Sequence, residues 1–184
     1  MRPSLARALL AGLFALSLSG CIDSPGPIVA DTQPVFGPKL RLQLFTLRDG
    51  AAHDPERVSY TWDGKYYVRT GGGIRDVRAF SLVPFEAGNF IIQTVPVNRA
   101  RGSEYAVLHK LADAVFQVIA IDEADADEAT RAAFCKHPGG AACRVETRDQ
   151  LFTFARATAT RKKDSGGLVL RLTDGAERPR KSRR

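Results

Sequence analysis

Hydrophobic and polar residues alternate through much of the chain between residues 39 and 121. The stretch KLRLQLFTL alternates leucine with polar residues, which predicts a half-buried strand. Two runs rich in aromatic and β-branched residues then flank Asp63-Gly64, a strong signal for a β-hairpin. Farther on, FIIQTVPV is apolar on both faces, which is typical of a strand that is covered on two sides.

About seven strands fit between residues 40 and 121, and the turns between them are too short for crossover helices. Short connections require antiparallel neighbours, so the pattern predicts a meander. Because some strands are apolar on both faces, the sheet is expected to curl into a small barrel or to pack against helices. The run GLVLRLTDG at 167–175 is expected to add a last strand that pairs with the first.

Two helices are predicted after the strands. The first covers EADADEATRAAF, with Asp122 or Asp125 as its N-cap and acidic residues in its first turn. The second begins at Thr147, which forms a T-x-x-Q capping box with Gln150, and its LFTFARAT segment carries an apolar stripe for the sheet. These elements predict one α+β domain over residues 39–175.

The first twenty residues have the composition of a secretory signal peptide. Two arginines precede the run from Ala8 to Leu18, which is apolar except for two residues and too short to span a bilayer. The leader ends in Leu18-Ser19-Gly20-Cys21, which resembles the lipobox of bacterial lipoproteins. That resemblance implies that residues 1–20 are removed and that Cys21 carries lipid.

Membrane attachment follows from this resemblance. In the family the cysteine thiol takes a diacylglyceryl group and the freed amine is usually acylated, and two or three chains hold a protein firmly. Ile22 stands where many inner-membrane lipoproteins carry aspartate, which implies the outer membrane, facing the periplasm. Residues 21–38 are expected to form the lipidated cysteine and a flexible tether, because positions 22–38 contain four prolines and two glycines without a periodic pattern.

The formal net charge of +7 is concentrated at the C-terminus. Residues 161–184 carry nine Lys or Arg against three Asp or Glu, whereas residues 21–160 carry sixteen against seventeen. Residues 176–184 are expected to be a disordered basic tail. In an exported protein this tail favours an anionic envelope component over nucleic acid as its partner. A tail that only keeps the protein in solution is the alternative.

Once Cys21 is assigned to lipid, Cys135 and Cys143 remain as a pair. The periplasm is oxidising, so a disulfide that closes CKHPGGAAC is expected. A metal site that adds His137 is an alternative, but its spacing matches no usual zinc pattern. Reactive free thiols are a third interpretation. No metal and no cofactor are predicted.

Candidate binding and catalytic residues are few. Gly71–Gly73 lacks the rest of a phosphate-binding fingerprint, and the acidic run at 122–128 lacks the glycine and bidentate glutamate of a calcium loop. His109 is better interpreted as a core histidine than as a general base, so no catalytic residue is predicted. Four aromatic residues near the predicted hairpin either pack across the strands or form a contact surface for sugar or peptide. They are Tyr60, Trp62, Tyr66 and Tyr67.

The functional prediction is a membrane-anchored, periplasm-facing lipoprotein that serves as a non-catalytic binding or envelope-structure module for an unidentified protein or glycan. Its layout loosely resembles that of small Gram-negative envelope lipoproteins without a characterised activity. One alternative is an inhibitor of a cell-wall lytic enzyme, because lysozyme-inhibitor lipoproteins are also small disulfide-bearing barrels; the near-neutral body and basic tail suit a cationic lysozyme poorly. The other is a small hydrolase, which requires a pocket where His53 or His109 meets a carboxylate and a nucleophile.

Overall fold

A computed structural model describes residues 22–24, 26–29, 33–48, 51–71, 79–95, 103–135, 143–162 and 167–173. Eight antiparallel strands close into a β-barrel, and two α-helices accompany them. The α+β prediction, with a curled meander and two C-terminal helices, is therefore confirmed. The predicted signal peptide, Cys21 and the tail at 176–184 lie outside the described residues.

The described part of the chain contains ten strands and two α-helices. The strands are β1 (Ile22–Ser24), β2 (Lys39–Arg48), β3 (Ala51–Trp62), β4 (Tyr67–Gly71), β5 (Ala79–Pro84), β6 (Phe90–Thr94), β7 (Ser103–Ala112), β8 (Val115–Ala120), β9 (Cys143–Arg144) and β10 (Gly167–Leu172). The helices are α1 (Glu128–Phe134) and α2 (Arg148–Lys162). Two short 3-10 turns occupy Glu86–Gly88 and Glu123–Asp125.

The barrel has up-and-down connectivity. Each strand from β2 to β7 pairs antiparallel with the next one in the chain. Strand β10 pairs with β2 on one side and with β8 on the other, and it completes the ring. This closure leaves no free edge among the eight strands, and it confirms the predicted pairing of the last strand with the first long one.

The hairpin between β3 and β4 forms where Asp63-Gly64 predicts it. The Asp63 carboxylate accepts hydrogen bonds from the backbone N–H groups of Lys65 and Tyr66, at 2.8 and 2.7 Å. Hydrogen bonds from Tyr66 and Lys65 hold the pKa of Asp63 below its usual value of 3.8. Gly64 has a φ of +104°, a conformation that side chains with a Cβ rarely adopt.

Buried apolar side chains form two clusters, one on each face of the barrel wall. The inner cluster lines the barrel interior and contains mostly leucine and aromatic residues. The outer cluster lies between the wall and α2, and adjacent residues of one strand serve both: Leu82 of β5 belongs to the inner cluster and Val83 to the outer. The strands that are apolar on both faces are therefore covered on both faces, as the sequence predicts.

The first predicted helix is divided in two. The Asp122 carboxylate accepts a hydrogen bond from the N–H of Ala124 and caps only a 3-10 turn. The backbone at Ala126 is extended, and Asp127 then caps α1 by accepting from the N–H of Thr130 at 2.7 Å. The prediction of Asp122 or Asp125 as the cap of one long helix is wrong, because two aspartates each begin a separate turn.

The cap of the second helix agrees with the sequence. The N–H of Gln150 donates to Thr147 Oγ1 at 3.3 Å, and the Gln150 side-chain oxygen accepts from the N–H of Thr147 at 3.2 Å. These reciprocal bonds form the predicted capping box. The apolar stripe of α2, Leu151, Phe154 and Ala155, is fully buried in the outer cluster.

The prediction of a flexible tether is wrong for the described residues of 22–38. Ile22, Val29 and Phe36 are at most 3% exposed. Strand β1 pairs with β7 and β9, and the side-chain oxygen of Gln93 accepts hydrogen bonds from the N–H groups of Ile28 and Val29. Prolines and glycines remove a regular period, but well-spaced apolar residues and a buried acceptor still hold the segment against the barrel.

The disulfide joins Cys135, directly after α1, to Cys143 in β9. The two Cα atoms are 4.6 Å apart, and the cysteines are separated by eight positions in the chain. Cys143 is 2% exposed and lies beside Ile22 in the parallel pairing of β9 with β1. The disulfide therefore connects the end of α1 to β9, the short strand that pairs with β1.

Reduction of this disulfide is expected to lower the free energy of unfolding by about 2–3 kcal/mol, because a short closed loop no longer restricts the unfolded chain. Urea denaturation with and without a thiol reductant measures the change. The double variant Cys135→Ala, Cys143→Ala is the control, and its midpoint should not respond to reductant. An equal midpoint for the oxidised and reduced native chain would contradict the expectation.

Candidate functional site: an apolar cavity inside the barrel

The barrel interior contains a cavity of about 60 Å³ that is partly open to solvent. Of its lining residues, only Tyr60 and Thr94 carry a polar group in their side chains. The others are eight leucines with two phenylalanines, one isoleucine and one valine: Leu40, Leu42, Leu44, Leu82, Leu108, Leu168, Leu170, Leu172, Phe36, Phe80, Ile92 and Val118. Such a lining favours a hydrocarbon ligand over a charged one.

Side chains alternate between the two faces of a strand, and this alternation directs the leucines of β2 and β10 into the barrel interior. Alternate residues of β2 from Leu40 to Leu44, and of β10 from Leu168 to Leu172, are leucines whose side chains line the cavity. The two strands pair antiparallel, with Leu170 opposite Leu44 and Leu172 opposite Leu42. The two leucine-rich sequences thus form one continuous apolar wall. The sequence shows that these residues face inward, but not that they leave space between them.

One end of the barrel is closed by Phe36; we call it the Phe36 end. The Phe36 ring lies 5.1 Å from the Phe90 ring and 5.5 Å from the Phe116 ring. Its backbone N–H donates to the Tyr67 hydroxyl at 3.1 Å, and that hydroxyl donates to the carbonyl of Gly37 at 3.0 Å. These contacts hold the segment before β2 across the end of the barrel.

The opposite end lies where β6 finishes and β10 begins; we call it the Thr94 end. Thr94 and Leu168 line the cavity there. The Thr94 hydroxyl donates to the carbonyl of Glu104 at 3.3 Å and accepts from the N–H of Glu104 at 3.2 Å. Because these bonds occupy its hydroxyl, Thr94 adds little polarity to the cavity.

Tyr60 is the other polar residue of the lining. Burial raises the pKa of Tyr60 to about 12, although the positive charge of nearby Arg69 opposes this shift. Arg69 lies opposite Tyr60 on β4, and its Nη2 atom is 3.8 Å from a carboxylate oxygen of Glu56. Tyr60 therefore stays neutral at physiological pH, and its hydroxyl contributes no charge to the cavity.

The predicted aromatic contact surface is wrong for two of its four residues. Tyr60 and Tyr67 are buried, with ring centroids 4.8 and 5.4 Å from that of Phe80. Trp62 is half-buried and packs edge-on against Tyr67 at 5.2 Å. Tyr66 is also half-buried, with the Lys65 ammonium 5.1 Å from its ring centre. Most of the cluster serves cross-strand packing, the alternative that the sequence left open.

The histidines do not join the cavity. His53 is exposed in β3, whereas His109 is half-buried in β7 opposite Gln117, and neither lines the cavity. The described residues therefore give the hydrolase alternative no support. Of the glycine run, Gly71 ends β4, and the next two glycines lie outside the described residues.

The cysteine pair has an acidic neighbour. A Glu123 carboxylate oxygen accepts a hydrogen bond from the N–H of Cys143 at 3.1 Å, and Glu123 lies close to both sulfur atoms. Because the sulfurs are joined to each other, neither is a thiolate that could bind a metal. The Glu123 carboxylate therefore serves to hold β9. His137, which the metal alternative needs, lies outside the described residues.

The fold and the cavity define a class of protein: a closed eight-stranded, up-and-down β-barrel with an apolar interior. Barrels of this strand number are either filled by side chains or wide enough for one small ligand. Comparison with models of protein families, with curated proteins and with solved structures found no match. In the described part of the chain, no helix combines the length and the hydropathy needed to span a bilayer.

Proposed function

We propose that the protein is a lipid-anchored, periplasm-facing binding module that holds a small apolar molecule inside its barrel without changing it chemically. The hydrocarbon lining of the cavity is the observation that carries the proposal. Each Å² of apolar surface removed from water contributes about 25 cal/mol, so a slender apolar molecule gains affinity from the lining without needing a charged partner.

The location rests on the sequence. The leader and Leu18-Ser19-Gly20-Cys21 support a lipid anchor, and Ile22 supports the outer membrane. The basic tail at 176–184 suits an anionic envelope component as a second contact. In this proposal the anchor keeps the barrel at the membrane surface, and the cavity rather than the aromatic hairpin receives the ligand.

Filling the cavity is expected to weaken ligand binding at least tenfold. Leu168 is half-buried and lines the Thr94 end, so the larger side chain of Leu168→Trp occupies space that a ligand would use. Arg171→Trp adds the same side chain at an exposed position of the same strand and serves as the control. Titration with N-phenyl-1-naphthylamine, an uncharged fluorophore, measures both dissociation constants.

The native chain and Arg171→Trp should bind the fluorophore with similar affinity. Equal binding by Leu168→Trp, or no saturable binding by the native chain, would contradict the proposed function. Circular dichroism of each variant verifies that the barrel remains folded, so that lost binding is not confused with unfolding.

The anchor has its own test. Mass spectrometry of the N-terminal peptide from envelope fractions should show that the mature chain begins at lipid-modified Cys21. Cys21→Ser should leave an unprocessed precursor, because the lipid acceptor is missing. A mature chain with an unmodified Cys21 thiol, or normal processing of Cys21→Ser, would overturn the anchor while leaving the cavity hypothesis intact.

A further inference from the structure

The N-terminal segment is fixed to the barrel immediately after the lipobox cysteine. Ile22 is fully buried in the outer cluster. The buried hydroxyl groups of Ser24 and Tyr105 form a hydrogen bond with each other. Gln93 accepts from two backbone N–H groups of the same segment and donates to Ser81 at 3.3 Å. Consecutive Cα atoms are about 3.8 Å apart, so a lipid on Cys21 is attached almost directly to the folded domain.

This attachment lies at the Thr94 end of the barrel. Asp23 pairs with Glu104 and Ser24 with Ser103, at the beginning of β7. Glu104 is also the residue whose backbone bonds to the Thr94 hydroxyl, and Thr94 lines the cavity. Neighbouring strands are about 4.8 Å apart, so the anchored segment and the cavity wall are roughly two strand spacings from each other.

The two ends of the barrel therefore differ. The Phe36 end is covered by an aromatic cluster and by hydrogen bonds in which the Tyr67 hydroxyl accepts from Phe36 and donates to Gly37. The Thr94 end adjoins the point of lipid attachment and carries the cavity residues Thr94 and Leu168. A short attachment at one end turns that end toward the bilayer, whereas a flexible tether of seventeen residues would leave the orientation free.

We propose that the cavity binds an acyl chain, which enters through the Thr94 end while the lipid on Cys21 holds that end against the membrane. This inference rests on the proposed anchor and on the proposed apolar ligand. An acyl chain is the slender hydrocarbon that a bilayer supplies in excess, and it matches a leucine lining in a barrel of eight strands. The chain comes either from a bilayer phospholipid or from the lipid on Cys21 itself.

Photoreactive acyl chains distinguish these sources. In the first arm, the mature lipidated protein is placed in phosphatidylethanolamine vesicles that contain a phospholipid with a diazirine in its acyl chain. In the second arm, cells incorporate a diazirine fatty acid into the Cys21 lipid, and the purified protein is illuminated in unlabelled vesicles. Peptide mass spectrometry then locates each adduct.

Adducts on Leu44, Leu168 or Leu170 in either arm support the proposal, and the arm identifies the source of the chain. Leu168→Trp should lower these interior adducts at least tenfold, and Arg171→Trp should leave them unchanged. Absence of interior adducts in both arms overturns the inference. If interior adducts are absent but the native chain still binds the fluorophore, only the acyl-chain assignment fails. If Leu168→Trp leaves fluorophore binding unaffected, the proposed function itself fails.

The same adduct map tests the orientation. Ala52 is exposed in the β2–β3 hairpin at the Thr94 end, whereas Lys65 is exposed in the hairpin at the Phe36 end. Bilayer phospholipid should label the segment at Ala52 at least fivefold more than the segment at Lys65. Equal labelling, or stronger labelling at Lys65, would contradict a Thr94 end that faces the membrane.

Discussion

Phe36→Ala is expected to lower the free energy of unfolding by about 3–5 kcal/mol. Phe36 is 3% exposed, and its ring packs between those of Phe90 and Phe116 at the end of the barrel. Removal of the ring loses this buried surface and leaves empty space beside Phe90 and Phe116. Urea denaturation followed by circular dichroism measures the change.

The control for this variant is the neighbouring residue. Val35 is half-buried and contacts the inner cluster only from its edge, so Val35→Ala should cost about 1 kcal/mol or less. The comparison tests whether the segment before β2 belongs to the fold. A tether without packing would make both variants neutral, and a change below about 1 kcal/mol for Phe36→Ala would show that Phe36 does not close the barrel.

Phe154→Ala is also expected to destabilise the protein by about 3–5 kcal/mol. Phe154 lies on the buried stripe of α2, is fully buried against the outer face of the barrel, and has its ring 6.1 Å from that of Phe134 in α1. Its loss should weaken the contact of both helices with the barrel wall. Thermal and urea unfolding report the destabilisation.

Phe152 provides a matched control on the same helix. It is half-buried, with its ring 5.3 Å from Phe85 and with the Arg148 guanidinium 5.0 Å from its centre. Phe152→Ala should therefore cost clearly less than Phe154→Ala. Equal losses for the two variants would mean that α2 does not bury the stripe that its sequence indicates.

The strands of the barrel could be predicted because the signals that specify them are local in the sequence. Alternation in β2 and β10 marks an inner face, and Asp63-Gly64 fixes the register of one hairpin. The strands around Ile91 are apolar on both faces because the barrel interior lies on one side and α2 on the other. Only the closure of the sheet required knowledge of the whole chain.

Two incorrect sequence predictions, the flexible tether and the aromatic contact surface, have different causes. The N-terminal segment is held by Gln93, which is more than sixty positions away and whose role no nearby pattern reveals. The buried positions of Tyr60 and Tyr67 follow from strand alternation, since Tyr60 shares its face with Val58 and lies opposite Leu40. That signal was available in the sequence, but aromatic density alone does not distinguish an inner face from an outer one.

The cavity could not be predicted at all. A sequence specifies that leucines point inward, but the free space between them depends on how eight strands tilt and stagger when they close. Conversely, the proposed lipid anchor rests on the sequence alone, on a short motif that precedes the described residues. The functional proposal joins these two sources, an anchor from the sequence and a binding site from the fold.

The most direct test of this account is an NMR measurement of contacts between a bound fatty acid and the methyl groups of the protein. With laurate as the ligand, we predict nuclear Overhauser effects from its methylene chain to Leu42, Leu44 and Leu170, which line the cavity. Leu151, which lies on the buried stripe of α2 and packs against the outer face of the barrel, should show none. Contacts confined to outer-face methyl groups, with none inside the barrel, would contradict the account.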